Sequence, residues 1–280
     1  MLSTRDIKRK IRSVGTIEQI CRAMKAASSV KLRRAQQRIR GARPYADHMA
    51  DLLRRFAAAG ADHPYFQPRP VQATGFLVIT ADKGLAGAFN VNIIRAAESA
   101  FRGEPRSLLM PIGRKGAVFF GRRRYEIQAS LSPMGAEPEF LEIAALADEA
   151  GRLFREGALD QVRVIYSAFR GGSRSDVANA QILPIEPPAE TPSGSLDIIC
   201  EPPADRILER LLPRYLRTVV FAAVLDSVAS EHAARVAAMT QATSNAEDMI
   251  ASLTLDYNKA RQSGITGELL DIVGTAEALR

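Results

Sequence analysis

All 15 prolines of this 280-residue chain fall between Pro44 and Pro213. Proline lacks a backbone N–H and clashes with the preceding helical turn, so the middle of the chain must be built from short pieces while both ends are free to run as long helices. The apolar spacing agrees. Near the N-terminus Ile7, Ile11, Val14, Ile17, Ile20, Met24 and Ala27 recur every three or four residues, which predicts a single stripe along one helix. Near the C-terminus Leu225, Val228, His232, Val236, Met239, Thr243, Ala246, Ile250, Leu253, Tyr257 and Ala260 step by threes and fours. That is the pattern of a coiled-coil seam, with one doubled step of four as a stutter. From Arg214 onward there is room for about 100 Å of helix.

The middle has a different texture. Residues 75–81, 107–113, 161–169 and 177–185 are short runs rich in Val, Ile and Leu and read as strands. Helical stretches over 88–101, 114–120 and 137–155 alternate with the first three, which predicts a small, largely parallel, Rossmann-like α/β domain. A proline-rich connection over 184–206 leads back to the second long helix. The chain thus divides into a coiled-coil helix over 1–58, an α/β domain over 70–200 and a second coiled-coil helix over 205–280. Both helices flank one inserted domain, so the simplest packing is an antiparallel coiled coil. The second helix is the longer, and its last turns carry Ile265, Leu269, Leu270, Ile272 and Val273 with no partner left in this chain. Water disfavours such a surface at about 25 cal/mol per Å², so another molecule is expected to surround it.

Charge is unevenly placed. The net charge is +7, yet residues 1–43 hold 13 Lys and Arg against Asp6 and Glu18 alone, a local +11. Three readings fit this: a nucleic-acid footprint, a salt-dependent acidic protein partner, or a solvated face. No Phe, Tyr or Trp interleaves the basic residues for base stacking. Cys21 and Cys200 form no C-x-x-C pair, which argues against a zinc site or a disulfide framework. The longest uncharged apolar run, Val219 to Leu225, is too short to cross a bilayer. Membrane association is expected only through a partner.

One stretch, VITADKGLAGAFN from Val78 to Asn90, invites a phosphate-binding reading. A phosphate loop needs lysine after its last glycine, whereas Lys83 precedes Gly84, and only Gly84 and Gly87 are available for a dinucleotide pattern. The plainer reading is a strand-to-helix turn whose backbone Asp82 or Asn90 holds. His232 lies on the seam with no ligand-type residue at i+4 and reads as a packed, hydrogen-bonded histidine. Residues 170–176, RGGSRSD, offer an anion-binding reading, but the plainer one is a flexible loop between strands. Neither a catalytic constellation nor a cofactor site is expected.

Together the segments IRSVGTIEQICRAMKAASSVKLRRAQ, TADKGLAGAFN and SEHAARVAAMTQATSNAEDMIASLTLDYNKARQSGITGELLDIVGTAEAL resemble those of the gamma-subunit family of F-type ATP synthases. The resemblance spans nearly the whole chain. It implies a non-catalytic rotor shaft inside a ring of alpha and beta subunits, with its foot on the membrane c-ring and an epsilon subunit as a further partner, on the cytoplasmic face of a bacterial membrane. By motif, Arg261 and Gln262 would make polar contacts with a beta subunit. Met24, Lys25 and Arg235 would face the acidic moving segment of beta, Ile265, Leu269 and Ile272 would meet the sleeve, and Glu201 would meet the c-ring. A divergent, sodium-translocating paralogue stays open as the alternative. Cys21, Ala86, Gly264 and Gly267 depart from the family's usual threonine, cysteine and better helix formers.

Overall fold

The computed structural model describes residues 3–58, 63–135, 137–171, 175–186 and 203–278. In chain order the elements are α1 (Thr4–Ala58), a 3₁₀ turn (Pro64–Phe66), β1 (Thr74–Ile79), α2 (Phe89–Phe101), β2 (Ser107–Ile112) and α3 (Arg114–Arg122). Then come α4 (Phe140–Arg155), β3 (Gln161–Phe169), β4 (Ser175–Leu183) and α5 (Ala204–Ala278). Both terminal helices are long, as the proline distribution predicts. They nevertheless swallow the outermost prolines: Pro44 lies inside α1 and Pro213 inside α5, which begins ten residues before Arg214. An internal proline forfeits one helical hydrogen bond and crowds the turn before it. Here packing offsets that loss, because Met49, Leu53 and Phe56 after Pro44, and Leu208, Leu212 and Leu216 around Pro213, are all buried.

The chain forms two compact units, one of Met1–Ser28 and Val236–Arg280, the other of Ser29–Arg235. The larger unit holds a four-stranded sheet in the order β2-β1-β3-β4. β1 pairs in parallel with β2 and β3, and β4 lies antiparallel to β3. A parallel neighbour needs a crossover of a dozen or more residues, and only residues 170–174 separate β3 from β4, so antiparallel pairing follows. All six residues of β1 are buried. Alternation sends Leu77 and Ile79 to one face, against α4 and the sheet-side stretches of α1 and α5, and Phe76 and Val78 to the other, against Ile93 and Phe101 of α2 and Phe120 of α3. Gly113, at φ +92°, sits so close to the Thr80 carbonyl that any Cβ would collide with it. This close approach lets α3 start directly above the end of β1.

The smaller unit consists of the amino-terminal part of α1 and the carboxyl-terminal part of α5. Arg22 Nη2 lies 2.6 Å from both Glu18 Oε1 on its own helix and Glu247 Oε1 on the other. Burial runs back from Arg22 to Ile7 and forward from Glu247 to Ala260, which makes the two helices antiparallel. Every seam position of α5 from Val236 to Ala260 is buried or half-buried, in agreement with the sequence pattern.

On α1 the sequence-derived stripe needs correction. Ile7, Ile11 and Val14 do face inward, but the packed row then continues through Glu18, Cys21, Lys25 and Ser28. Ile17 and Ile20 are 54% and 53% exposed. The apolar list takes two successive steps of three after Val14, and each residue turns the helix by about 100°, so that list leaves the contact line. The packed row keeps strict alternation of four and three. Glu18 tolerates its place through Arg22, 2.6 Å away on the next turn.

Candidate functional site

The glycine turn after β1 is held from three sides within the larger unit. Ala81 N donates to Asn90 Oδ1 at 2.9 Å, so Asn90 secures the turn as expected. Asp82 does something else. Its Oδ1 accepts from the backbone N–H of Arg114 (2.8 Å) and Met134 (3.1 Å), and its Oδ2 from that of Gly135 (3.0 Å). One carboxylate thereby ties the turn to the first residue of α3 and to the loop before α4, using the strong acceptor character of an ionised oxygen. Positive φ falls on Leu85 (61°) and Gly87 (55°), leaving Leu85 and Lys83 exposed at the tip.

The third anchor comes from α5. Arg235 is buried and aims its fork at the Gly84 carbonyl, with Nη2 at 3.1 Å and Nε at 3.4 Å. Nη2 also donates to Glu231 Oε1 at 2.6 Å, one helical turn earlier. Nη1 lies 3.2 Å from His232 Nδ1. Guanidinium nitrogens only donate, so His232 Nδ1 must accept and the ring is neutral, with its proton on Nε2. Burial first, then the charges of Arg235 and Lys31, hold the His232 pKa down at about 4. Burial pushes the Glu231 carboxyl above its ordinary value while Arg235 opposes the shift. His232, Glu231, Lys31, Lys83 and Arg114 border a cleft of about 280 Å³ beside the turn.

Elsewhere in the larger unit Arg43 donates to both oxygens of Asp226 at 3.1 Å, bracing α1 against α5. The Asp226 pKa is raised, chiefly by burial. In the smaller unit Met24 and Lys25 are half-buried, whereas Arg261, Gln262, Ile265, Leu269 and Ile272 are exposed. Ile265 is 51% and Ile272 66% exposed, on turns where nothing from the chain covers them among the described residues. Glu201 lies outside the described residues.

The structure therefore divides the residues singled out from sequence. It gathers Arg261, Gln262, Ile265, Leu269 and Ile272 on one free helical end, and it commits Arg235 to an internal latch. The latch escapes a sequence reading because its acceptor is a backbone carbonyl 151 positions away. Only the i, i+4 spacing of Glu231 and Arg235 hints at it. Among the described residues no group of three or more His, Cys, Asp or Glu is placed to hold a metal ion. No described helix is long and apolar enough to cross a membrane.

The family model described as ATP synthase matches residues 3–279. The ATP synthase gamma chain of Moorella thermoacetica is 42% identical over the full length of both chains, and that of Anaeromyxobacter sp. is 44% identical, again over all of both. In fold the chain is similar to one in the rotational-state-3 structure of the Euglena gracilis mitochondrial ATP synthase, comprising OSCP, F1 and c-ring. That similarity has a TM-score of 0.74 at 19% identity and covers 99% of this chain and 94% of the other. A chain of the Tetrahymena thermophila mitochondrial ATP synthase central stalk and c-ring gives a TM-score of 0.63 at 24% identity, covering 80% and 99%. The chain belongs to the ATP synthase gamma-chain family.

Proposed function

We propose that this chain is the central rotor shaft of an F-type ATP synthase, itself non-catalytic, which couples rotation of a membrane c-ring to ATP synthesis or hydrolysis in a surrounding ring of alpha and beta subunits. One observation carries the reading: α5 continues past Ala260 as a helix whose apolar residues, Ile265, Leu269, Leu270 and Ile272, are exposed in the chain alone. Exposed leucine and isoleucine on a bare helical end call for an enclosing partner. Membership of the ATP synthase gamma-chain family supports reading that partner as other subunits of an ATP synthase.

On this reading Arg261 and Gln262 offer the free end's polar contacts to a beta subunit. Met24 and Lys25, with the exposed Ile17 and Ile20, lie along the stretch that faces beta's acidic segment. Arg235 acts at one remove by holding the glycine turn, so that Lys83 and Leu85 are the groups presented outward. Glu201, the epsilon subunit and the c-ring belong to the foot, and the complex sits on the cytoplasmic face of the membrane. The test is co-purification. Alpha and beta subunits are expected with this chain in one stoichiometric complex, and Arg261→Ala or Gln262→Ala is expected to lower ATP synthesis relative to hydrolysis in reconstituted vesicles. A chain that purifies without alpha and beta, or unchanged synthesis in both variants, overturns the proposal.

A further inference from the structure

The first turns of α5 carry Arg206, Arg210, Arg214 and Arg217, spaced by four, four and three residues. That spacing aligns them along one side of the helix, with successive charges about 6 Å apart along the axis. Arg206, Arg210 and Arg214 are exposed, and Arg217 is half-buried with its Nε 2.6 Å from Asp148. Glu209 is the acidic residue between them. Beside this row runs a groove of about 590 Å³ whose floor is Ala42, Tyr45, Phe140, Pro213 and Phe221. Phe140 and Phe221 meet edge to face at 5.2 Å between centroids, and Arg214 lies over the Tyr45 ring at 5.5 Å. Leu141, the next residue along α4, is 79% exposed and widens the apolar surface. None of these residues belongs to the free end of α5 or to the glycine turn.

We infer that this groove and its arginine row form a docking site for an acidic amphipathic helix of another protein, seated with its apolar edge between Tyr45, Phe140 and Phe221 and its carboxylates against Arg210 and Arg214. Cations repeating every four residues match carboxylates at i and i+4 on an approaching helix, and arginine pairs with carboxylates through a planar fork. The aromatic floor supplies the kind of rigid, apolar anchor pocket on which interface affinity concentrates. A bilayer would meet a convex basic face, whereas this site is a concave apolar slot with charge along one rim.

The full-length chain is titrated with a fluorescent, helical three-heptad peptide carrying glutamates every four residues along one edge and leucines beside them. A second peptide has lysines at the glutamate positions, and phosphatidylglycerol vesicles form a third arm. The glutamate peptide is expected to bind saturably, to lose about tenfold or more in affinity on Arg210→Glu/Arg214→Glu, and to be bettered by the lysine peptide on that variant. Charge reversal that transfers preference in this way is not produced by misfolding. Absent or non-saturable binding, binding indifferent to the reversal, or vesicle binding through these arginines without peptide binding overturns the inference. Because the measurement uses this chain alone, its failure leaves the rotor reading untouched, and failed co-purification with alpha and beta leaves the groove untouched.

Discussion

Arg235 Nη2 lies 3.1 Å from the carbonyl oxygen of Gly84, so one buried side chain of α5 fixes the turn that follows the central strand. Glu231, 2.6 Å from the same nitrogen, neutralises the guanidinium that does so. A backbone carbonyl, a carboxylate and a neutral imidazole thus share one fork of donors. Such a network stabilises only while every member is present, because each group has given up its water.

Replacing Arg235 with Met is expected to destabilise the chain by about 3 kcal/mol, mainly by leaving the buried Glu231 carboxylate and the Gly84 carbonyl without a donor. The double variant Arg235→Met/Glu231→Gln is expected to recover part of that loss, since no unpaired charge remains. Urea unfolding of the three proteins checks this. A double variant no more stable than the single one would mean that the ion pair does not organise the site.

Proton linkage offers a second reading of the same cluster. His232 titrates near pH 4 in the folded chain against 6.5 when unfolded. A depressed histidine pKa means that the unfolded state takes up the proton first. Its contribution to stability is therefore complete above pH 6.5 and is lost as pH falls toward 4, by about 3 kcal/mol in all. Glu231 and Asp226, whose pKa values are raised, work in the opposite sense and favour the folded state as pH falls. The difference between wild type and His232→Gln isolates the histidine. It is expected to be constant above pH 6.5 and to shrink steadily below it, and a flat difference down to pH 4 would refute the assignment.

Much of this fold is legible in the residues themselves. The strands of the sheet announce themselves because a parallel strand buried on both faces must be apolar almost throughout, as Phe76 to Ile79 are. The seam of α5 is legible because alanines and branched residues recur at its contact positions. The inner row of α1 is not, because Glu18, Cys21, Lys25 and Ser28 occupy it while better hydrophobes, Ile17 and Ile20, stand one position away. Local apolar content then points to the wrong face, and only the geometry of the partner helix decides. The exposed end at Ile265 to Ile272 could be foreseen by counting residues on the two helices. The roles of Asp82 and Arg235 could not, since both act on backbone groups of distant segments.

The rotated stripe on α1 makes its own prediction. Ile17→Lys and Ile20→Lys are expected to change the stability of the isolated chain by less than about 1 kcal/mol, because the two residues are 54% and 53% exposed and lie outside the packed row. Cys21→Lys, which forces a charge into the packed row, is expected to cost several times more. Thermal unfolding measures the stabilities, and thiol labelling gives an independent check. Cys21 should react slowly in the folded wild type, and a cysteine placed at Ile20 in a Cys21→Ser background should react quickly. The reverse order, a fast Cys21 and a slow cysteine at position 20, would place the seam where apolar content alone suggests, and equal rates would refute the packed row through Cys21. If Ile17→Lys also weakens assembly with alpha and beta subunits at unchanged stability, this outer stripe is a face the partners cover.

Gly264 and Gly267 sit inside α5, and beyond the helix's own adjacent backbone nothing lies within 4 Å of where a Cβ would stand. Alanine at either position fits without strain and removes the conformational freedom that glycine retains when unfolded, a gain of up to about 1 kcal/mol of helix stability per site. The packed seam ends at Ala260, so this gain belongs to local opening of the free end rather than to global unfolding. Amide hydrogen exchange over residues 261–270 is expected to slow by roughly fivefold per substitution, while the midpoint of global thermal unfolding stays where it was. A rise in that midpoint, with exchange across the whole of α5 slowed together, would show that the end is cooperative with the seam. It would then not be the free-standing helix on which the proposed fit inside a ring of partners depends.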